Sequence, residues 1–240
     1  MIFNPTYTET NEINPTHIVG SEFEEKYVKK VYSSIAEDFS RTRYSYWKVV
    51  HDFILKIEPN SKLLDMGCGN GKYLSVRNDL TTVAIDSCEE FIEIVKKKYP
   101  TTLSFVSSVE DVKLPDNSFD YIISIAVIHH LSTETQRIKM IREILRLLKV
   151  GGKCLLTAWA TEQSCTNTLG KSKKISDSND YLIPWTNNKN KTVSYRFYHL
   201  FVKNEFAKLV EEFDNVKIIM DEYKEDNWIL EIQKLPFLNF

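Results

Sequence analysis

The stretch Leu63–Gly71 reads LLDMGCGNG and joins the end of an apolar run to a glycine at every second position. A short apolar run indicates a buried β-strand, and glycines directly after it indicate a tight turn. Without side chains at Gly67, Gly69 and Gly71, the backbone can approach a ligand closely. We therefore predict a ligand-binding turn at the carboxyl end of the first strand of a parallel sheet.

Two aspartates restrict which ligand this turn can bind. Asp65 lies two residues before Gly67, where an acid suits a cationic amino-acid group better than a pyrophosphate, which prefers bare backbone amides. Asp86 ends the next apolar run, about 20 residues further on, where an acid can accept hydrogen bonds from both hydroxyls of a ribose. The pair predicts a nucleoside cofactor that carries an amino-acid moiety.

A third segment, Leu114–Asp120 (LPDNSFD), resembles the L-P-x-x-x-F-D stretch of class I methyltransferases, and this resemblance implies S-adenosylmethionine as the cofactor. In many members of that class an acid after the third strand binds the adenine amino group. Ser108 stands there in this chain, so we expect its hydroxyl to accept that hydrogen bond and the Val109 amide to meet the ring. The residues predicted to bind the cofactor are Tyr32, Asp65, Gly67, Gly69, Gly71, Asp86, Ser108, Val109 and Ala126.

The remaining apolar runs predict the fold. Most are continuous rather than alternating, which indicates parallel strands covered on both faces. Strands are predicted at 62–66, 82–85, 103–106, 121–126, 154–159, 216–223 and 228–232; helices at 22–39, 47–57, 89–99, 133–148 and 204–213, with short helical pieces at 71–74 and near Val109. The class is α/β: a Rossmann-like class I methyltransferase fold with a seven-stranded, mostly parallel sheet, the last strand antiparallel, and helices on both faces.

The chain is predicted to form a single domain. Residues 1–20 are polar, contain two prolines and predict a flexible N-terminal arm. Residues 21–240 then form one methyltransferase domain. Within it, residues 161–192 are rich in Ser, Thr, Asn and Lys and predict a mobile surface insertion, with Tyr181–Trp185 as a docked island.

Composition excludes several classes of protein. Among 240 residues, 42% are hydrophobic, and 31 basic and 33 acidic residues give a net charge of -2, so RNA binding would need local basic patches. The chain shows no signal peptide and no apolar run long enough to span a membrane. Its four cysteines lack metal-ligand spacing, so we predict no metal site, reduced thiols and a cytoplasmic location, with the nucleus as a second compartment.

Several further segments resemble the eukaryotic tRNA wobble-uridine carboxymethyl methyltransferases, both the free-standing yeast-type enzymes and the methyltransferase half of the AlkB-homologue fusion proteins. The matching stretches are Tyr27–Tyr32, Phe39–Tyr44 with Trp47, Asp65–Tyr73, Ser124–His130, Ala158–Ala160, Tyr195–Leu200 and Asp226–Trp228. The resemblance implies methyl transfer to the carboxylate of 5-carboxymethyluridine at the wobble position, which gives a methyl ester. It also implies tRNA and a small zinc-binding activator subunit, in a heterodimer, as partners.

That chemistry selects candidate substrate residues. A carboxylate is ionised at neutral pH and needs no general base, but it needs a cation to orient it and a pocket for the base. Arginines can orient the carboxylate or the RNA backbone, histidines and an asparagine can donate hydrogen bonds, and a tryptophan can stack on uracil. The candidates are Arg43, His129, Trp159, Arg196, His199 and Asn227, each of which could instead be an ordinary surface or core residue.

Two other functions fit parts of the sequence. The spacing of Tyr32, Ile35, Ala36 and Phe39 occurs widely in small-molecule methyltransferases, so a quinone, sterol or carboxylic acid is an alternative acceptor. The second alternative is an RNA-binding scaffold of the same fold without catalysis. The intact glycines and Asp86 argue against the scaffold.

Overall fold

The computed structural model describes residues 20–43, 45–164, 170–187 and 191–237. The predicted N-terminal arm therefore lies, except for Gly20, outside the described residues. The strands are β1 (Lys62–Met66), β2 (Thr81–Asp86), β3 (Leu103–Val106), β4 (Phe119–Ile125), β5 (Leu148–Trp159), β6 (Lys173–Lys174), β7 (Asp180–Thr186), β8 (Val193–His199), β9 (Val216–Lys224) and β10 (Asn227–Lys234). The α-helices are α1 (Ser21–Glu24), α2 (Lys30–Thr42), α3 (Lys48–Leu55), α4 (Glu89–Lys98), α5 (Glu134–Leu147) and α6 (Glu205–Val210).

Seven strands form the main sheet in the order β3-β2-β1-β4-β5-β10-β9. The pairs from β3 to β5 are parallel, whereas β10 runs antiparallel to both β5 and β9. The predicted sheet, mostly parallel with its last strand antiparallel, is confirmed. The strand order reverses between β1 and β4, and in such sheets ligands bind at the carboxyl ends of the strands beside that reversal.

Helices cover both faces of this sheet, as the continuous apolar runs predicted. Alternate residues of a strand point to opposite faces. In β1, Leu63 packs into a cluster with the α3 residues Val50 and Ile54, and Leu64 packs into a cluster with the α5 residue Ile144. Both leucines are almost completely buried, so the strand that carries the glycine-rich turn is fixed from both sides.

Some predicted helices differ from those observed. The first one is not a single α-helix, because a π-helical stretch (Glu25–Lys29) separates α1 from α2, which continues to Thr42. The short helices predicted at 71–74 and near Val109 are turns and bends instead. Both segments lie in connections between strands, 67–80 and 107–118, whose backbone forms turns and bends rather than a helix.

The predicted insertion carries regular structure. Strands β6 and β7 lie inside 161–192 and pair with β8 in a second, antiparallel sheet in the order β6-β7-β8. The predicted island Tyr181–Trp185 lies within β7. The segment shows no strand periodicity in its sequence, because these strands depend on pairing with each other and with β8 and on the packing of Leu182 of β7 with Phe23 of α1.

Both ends of this insertion are held together at the main sheet. The Thr161 amide donates to the Phe201 carbonyl at 2.9 Å, and the Phe201 amide donates to the Trp159 carbonyl at 2.8 Å. Ala160 and Phe201 form an isolated parallel bridge and are both fully buried. The chain therefore leaves β5 and returns to α6 at almost the same point.

The turn after β1 depends on Gly67. Its φ angle is +83°, and a Cβ atom built there would lie 2.3 Å from Val127 Cγ2. Gly151, in β5, also has a φ of +83°, but a Cβ atom there would meet nothing within 4 Å. The two glycines share the backbone conformation and differ in the space around them.

Alanine substitutions at these two glycines should separate strain from packing. Gly151→Ala is expected to lower the free energy of unfolding by about 1–2 kcal/mol through its left-handed conformation alone. Gly67→Ala is expected to cost about 1–3 kcal/mol more, because Val127 must move. Urea denaturation of both variants measures the difference, and equal losses would show that Val127 does not restrict this turn.

Candidate functional site

A cavity of about 570 Å³ lies at the carboxyl ends of the parallel strands. The glycine-rich turn, the ends of β2 to β5 and helix α2 surround it, and Arg196 and Tyr198 of β8 close it from the second sheet. Twelve of the residues predicted from the sequence line this cavity: Tyr32, Arg43, Asp65, Gly67, Gly69, Asp86, Ser108, Val109, Ala126, Trp159, Arg196 and Asn227. Gly71, His129 and His199 do not.

The three glycines of the turn have different roles. A Cβ atom on Gly69 would meet no protein atom within 4 Å, so this position leaves open space at the cavity. A Cβ atom on Gly71 would lie 2.9 Å from Leu74 and 3.0 Å from Val95, away from the cavity. Gly71 therefore serves the packing of the turn, and it does not line the cavity as the sequence predicted.

Asp86 holds the glycine-rich turn in place. Its Oδ2 accepts a hydrogen bond from the Gly69 amide at 2.8 Å, and its Oδ1 accepts from the Cys88 amide at 2.9 Å. Burial raises the pKa of Asp86 to about 6, although these backbone hydrogen bonds oppose the increase. Each carboxylate oxygen keeps a second lone pair, so Asp86 can still accept from ligand hydroxyls.

Asp65 has no comparable partner. Asp65 is only 2% exposed, and its Oδ2 forms no hydrogen bond within the described part of the chain. Burial, followed by the nearby Asp86 carboxylate, raises the pKa of Asp65 to about 7, while Lys72 opposes this. A buried carboxylate without a partner favours a bound cation, which fits the amino-acid ammonium group expected from the sequence.

On the adenine side, Ser108 is already engaged. Its Oγ accepts a hydrogen bond from the Glu110 amide at 3.1 Å, and its carbonyl accepts from Ser107 Oγ at 3.0 Å. The bond from the Glu110 amide uses one lone pair of the Ser108 oxygen, so the second lone pair and the hydroxyl proton remain for a ligand. Val109 packs beside it among buried apolar residues.

Ala126 forms the floor of the cavity with an unusual backbone conformation. Its φ angle is +61°, and its amide donates to Thr157 Oγ1 at 2.9 Å. A non-glycine residue with positive φ is uncommon and is often found at a functional site. The turn at Ala126 directs the chain from β4 into a 3₁₀ turn, Ile128–His130, beneath the second sheet.

Arg196 is the unusual charge in the cavity. It is 4% exposed, and no described carboxylate forms an ion pair with it. Its Nη1 donates to the hydroxyls of Tyr198 at 2.8 Å and Tyr32 at 3.2 Å, and its guanidinium lies 5.1 Å from the ring centre of Trp185. Since a buried cation without a counter-charge is costly, the site is suited to receive an anion.

Arg43, the first candidate from the sequence, is a different kind of arginine. It is exposed at the rim of the cavity, where its guanidinium lies 5.3 Å from the ring centre of Phe39 and 5.8 Å from that of Trp185. Its carbonyl accepts a hydrogen bond from the Asn70 side chain at 3.2 Å. Asn70, in the glycine-rich turn, also donates to the Ser40 carbonyl and so connects that turn to the end of α2.

Trp159 and Asn227 lie side by side at the opposite rim. They are paired residues of the adjacent strands β5 and β10, and both line the cavity. The centres of the Trp159 and Tyr198 rings lie 4.8 Å apart, so Trp159 lies next to the part of the cavity that contains Arg196. Asn227 Nδ2 donates to the Glu225 carbonyl at 2.6 Å, so its amide oxygen and its second N–H proton remain for a ligand.

His129 supports the cavity from behind. It is fully buried, its Nδ1 accepts a hydrogen bond from the Trp159 amide at 3.1 Å, and its ring stacks on Tyr198 at 4.6 Å. Burial holds the pKa of His129 well below its ordinary value, so the ring is neutral. His130 lines the cavity instead, because the 3₁₀ turn points the two adjacent rings in different directions.

His199 belongs to an ion-pair cluster outside the cavity. Its Nδ1 lies 2.7 Å from Asp180 Oδ1, and its Nε2 lies 2.6 Å from Glu205 Oε1. Strand alternation turns His199 away from the face that carries Arg196 and Tyr198. His199 therefore connects β7, β8 and α6. It does not lie in the cavity, where the sequence predicted it.

Sequence reasoning did not single out Tyr198 or His130, although both contribute to the pocket. Tyr198 shares a strand face with Arg196, so β8 alternation was the signal available for it. No comparable signal separates His130 from His129, because the direction of each ring depends on the 3₁₀ turn.

Comparison with known proteins identifies the family. A methyltransferase domain model matches residues 64–156. A tRNA (carboxymethyluridine(34)-5-O)-methyltransferase of Schizosaccharomyces pombe is 36% identical over 225 residues, which cover 86% of this chain and 96% of that protein. A protein of the same name from Xenopus tropicalis is 32% identical over 279 residues, covering 95% of this chain and 44% of that protein.

The chain belongs to the tRNA (carboxymethyluridine(34)-5-O)-methyltransferase family. It spans almost the whole fission yeast relative but less than half of the frog relative. Family membership agrees with the resemblance drawn from the short motifs.

Solved structures confirm the methyltransferase fold at low sequence identity. One is a Burkholderia thailandensis N1-methyltransferase with bound S-adenosylhomocysteine, with a TM-score of 0.62, 13% identity and coverage of 92% of this chain and 93% of that one. Another comes from a complex of the Haloferax volcanii Trm112 methyltransferase activator with a methyltransferase; its TM-score is 0.64 at 12% identity, covering 89% of this chain and 99% of that one. In this family member, none of the described helices has the length and apolar character needed to cross a membrane.

The His199 cluster should make stability depend on pH. Burial alone would lower the pKa of His199, but the two carboxylates outweigh it and raise the pKa. The charged histidine therefore stabilises the fold fully below its ordinary pKa of about 6.5, and this contribution is lost as the pH rises through the raised value. We expect His199→Ala to lower the free energy of unfolding by about 3 kcal/mol at pH 6.

At pH 9.5 the same variant should differ much less from the unmodified protein, because His199 is then neutral. Urea denaturation at both pH values measures this. A loss that is equal at the two pH values would show that packing, rather than charge, accounts for the role of His199.

Proposed function

We propose that this chain transfers the methyl group of S-adenosylmethionine to the carboxylate of 5-carboxymethyluridine at the wobble position of tRNA. The names of its relatives support the substrate. The observation that carries the proposal is Arg196, a buried cation that no described acid neutralises, in the same cavity as the glycine-rich turn. An anionic acceptor group supplies the missing charge.

The residues on the other side of the cavity fit the cofactor. Asp65, with one carboxylate oxygen free of partners, would bind the ammonium group of the amino-acid moiety. Asp86 would accept from the ribose hydroxyls, and Gly69 leaves the open space in which backbone and ligand can meet. When bound, S-adenosylmethionine supplies an electrophilic methyl group on a positively charged sulfur.

The protein's part in catalysis is orientation. A carboxylate oxygen would accept the methyl group that the bound cofactor supplies, and the sulfur–carbon electron pair would stay on sulfur. No proton is transferred, which agrees with the neutral His129 and His130 beside the pocket. Arg196 holds the second carboxylate oxygen, and the rings of Tyr32, Trp159 and Tyr198 exclude water from the reacting atoms.

We also propose that the chain works as a heterodimer with a small zinc-binding activator subunit. The Haloferax volcanii neighbour, from a complex with the Trm112 activator, supports this. Expression of the chain with and without such a subunit, followed by size-exclusion chromatography, tests the pairing. A cytoplasmic location, with the nucleus as a second compartment, stays a prediction.

Cofactor binding should release a proton in weakly acidic solution. With a pKa of about 7, Asp65 is mostly protonated at pH 6, and a bound ammonium group favours its ionised form. We expect the affinity for S-adenosylhomocysteine to rise by up to about tenfold per pH unit below pH 7 and to level off above it. Calorimetry at pH 6 in two buffers of different ionisation enthalpy should detect release of close to one proton. Binding without proton release at pH 6 would mean that Asp65 does not meet the ammonium group.

Substitution of the two arginines should separate their roles in transfer. Arg196→Lys keeps the charge but loses the forked donor geometry, so we expect kcat/KM to fall by about a hundredfold or more. Arg43→Ala, at the exposed rim, should raise KM by about tenfold with little change in kcat. Both should bind S-adenosylhomocysteine normally.

Mass analysis of nucleosides from an anticodon stem-loop that carries 5-carboxymethyluridine measures the methyl ester. Arg142→Ala is the matched control, since this exposed arginine lies on α5 and does not line the cavity. If Arg196→Lys methylates the stem-loop as well as the unmodified chain does, Arg196 is not the carboxylate receptor.

A further inference from the structure

The direction of one hydrogen bond near Arg196 is fixed by the chemistry of its partners. His130 Nδ1 lies 2.7 Å from the Phe197 carbonyl oxygen, and a carbonyl can only accept. Burial lowers the pKa of His130 to about 3, so the ring carries a single proton. That proton is on Nδ1, and Nε2 can only accept.

This tautomer sets the direction of the next two bonds. Tyr32 lies 2.9 Å from His130 Nε2 and must donate its hydroxyl proton there. The Tyr32 oxygen can then only accept, so Tyr198, 3.2 Å away, donates its own proton to it. Both phenol protons therefore point within the protein.

The phenol oxygens are used as well. Arg196 Nη1 has two protons and two acceptors, the oxygens of Tyr198 and Tyr32. Tyr32 oxygen thus accepts from both Arg196 and Tyr198. No described residue accepts from the remaining Arg196 donors, and the buried Nε has no partner. The open edge of the guanidinium is therefore at Nη2, which can donate two hydrogen bonds.

This edge presents donors alone to a ligand. A carboxylate is an acceptor at both oxygens and also neutralises the buried charge. A primary amide of the same shape brings an NH₂ group that would face a donor and find no acceptor. A methyl ester keeps oxygen acceptors but has no charge to pair with the guanidinium.

We propose that His130 acts as a positioning residue that keeps the Tyr32 hydroxyl fully occupied, so that Tyr32 offers the substrate no acceptor beside the Arg196 donors, and the cavity selects the ionised carboxymethyl group over its amide and binds the ester product weakly. This inference rests on the proposed function, because it concerns the same acceptor group. It explains how a site can distinguish three uridine side chains of nearly the same size, and why the reaction weakens the binding of its own product.

The test compares three anticodon stem-loops of one sequence, with a carboxymethyl, carbamoylmethyl or methoxycarbonylmethyl group on the wobble uridine. Their affinities are measured by fluorescence anisotropy with the chain saturated by S-adenosylhomocysteine, alone and with the activator subunit. We expect the acid to bind at least about tenfold more tightly than the amide and the ester, since each leaves buried donors or charge unpaired.

Two isosteric substitutions test the role of His130. Gln places its amide oxygen near the position of Nε2 and can still accept from Tyr32, whereas Asn places its amide nitrogen near Nδ1 and cannot. His130→Gln should retain the preference for acid over amide, and His130→Asn should reduce it several-fold, because Tyr32 can then donate to Tyr198 instead, which frees a lone pair on the Tyr32 oxygen for the amide. Arg196→Gln, which presents both a donor and an acceptor, should bring the acid-to-amide ratio close to one.

The outcomes separate this inference from the proposed function. If the acid stem-loop is methylated but acid and amide bind equally, the selection is wrong and the function stands. If none of the stem-loops binds or is methylated, alone or with the activator, both are wrong. If the preference persists in His130→Asn, His130 does not position the pocket. Melting temperature and affinity for S-adenosylhomocysteine show that each variant is folded, and the ratios in the unmodified chain decide the selection without any variant.

Discussion

A guanidinium group held out of water without an acid beside it is the constraint on which the substrate half of this molecule depends. Ion burial costs several kcal/mol per charge even after the protein relaxes. Two phenol oxygens and the faces of aromatic rings stabilise the charge of Arg196 in part. These groups stabilise a cation less than a carboxylate would. The side chains of Tyr32, Tyr198, Trp185 and His130 are arranged around that charge, and an incoming anion completes the arrangement.

The cavity joins two layers with different origins in the sequence. The cofactor side comes from the ends of parallel strands, where Asp65 and Asp86 are placed by β1 and β2 and restrained from both faces of the sheet. The acceptor side comes from the second sheet, which contributes Arg196 and Tyr198 from one face of β8. Helix α2 brings Tyr32 between the two layers. The shared cavity therefore exists only when the second sheet is docked on α2.

Sequence patterns predicted the first layer well because its sequence signals are local. A continuous apolar run marks β1, three glycines mark the turn, and the two aspartates follow from their positions at strand ends. The three glycines look equivalent in sequence, but only the structure shows that Gly71 packs against Val95 while Gly69 faces open space. Likewise, the hydroxyl oxygen of Ser108 is used by a backbone turn that no spacing rule reveals.

The second layer was harder to predict because its determinants are distant. Strand alternation already places Arg196 and Tyr198 on one face and His199 on the other, so the separation of Arg196 from His199 was available in the sequence. The exchange of His129 for His130 was not, since it depends on a 3₁₀ turn and on packing against β8. Strand β6 contains only lysines, and both it and β7 belong to a sheet that is completed by the later strand β8.

The closed base of the insertion has a consequence for how such enzymes diversify. Trp159 and Thr161 both form backbone hydrogen bonds with Phe201, so the chain from 161 to 201 begins and ends at a single fixed point of the core. Loop-closure entropy grows only slowly with the length of the enclosed chain, about 0.6 kcal/mol for each doubling. The lobe that carries Arg196 and Tyr198 can lengthen, shorten or be exchanged at little cost to folding, while the parallel strands beneath it stay the same.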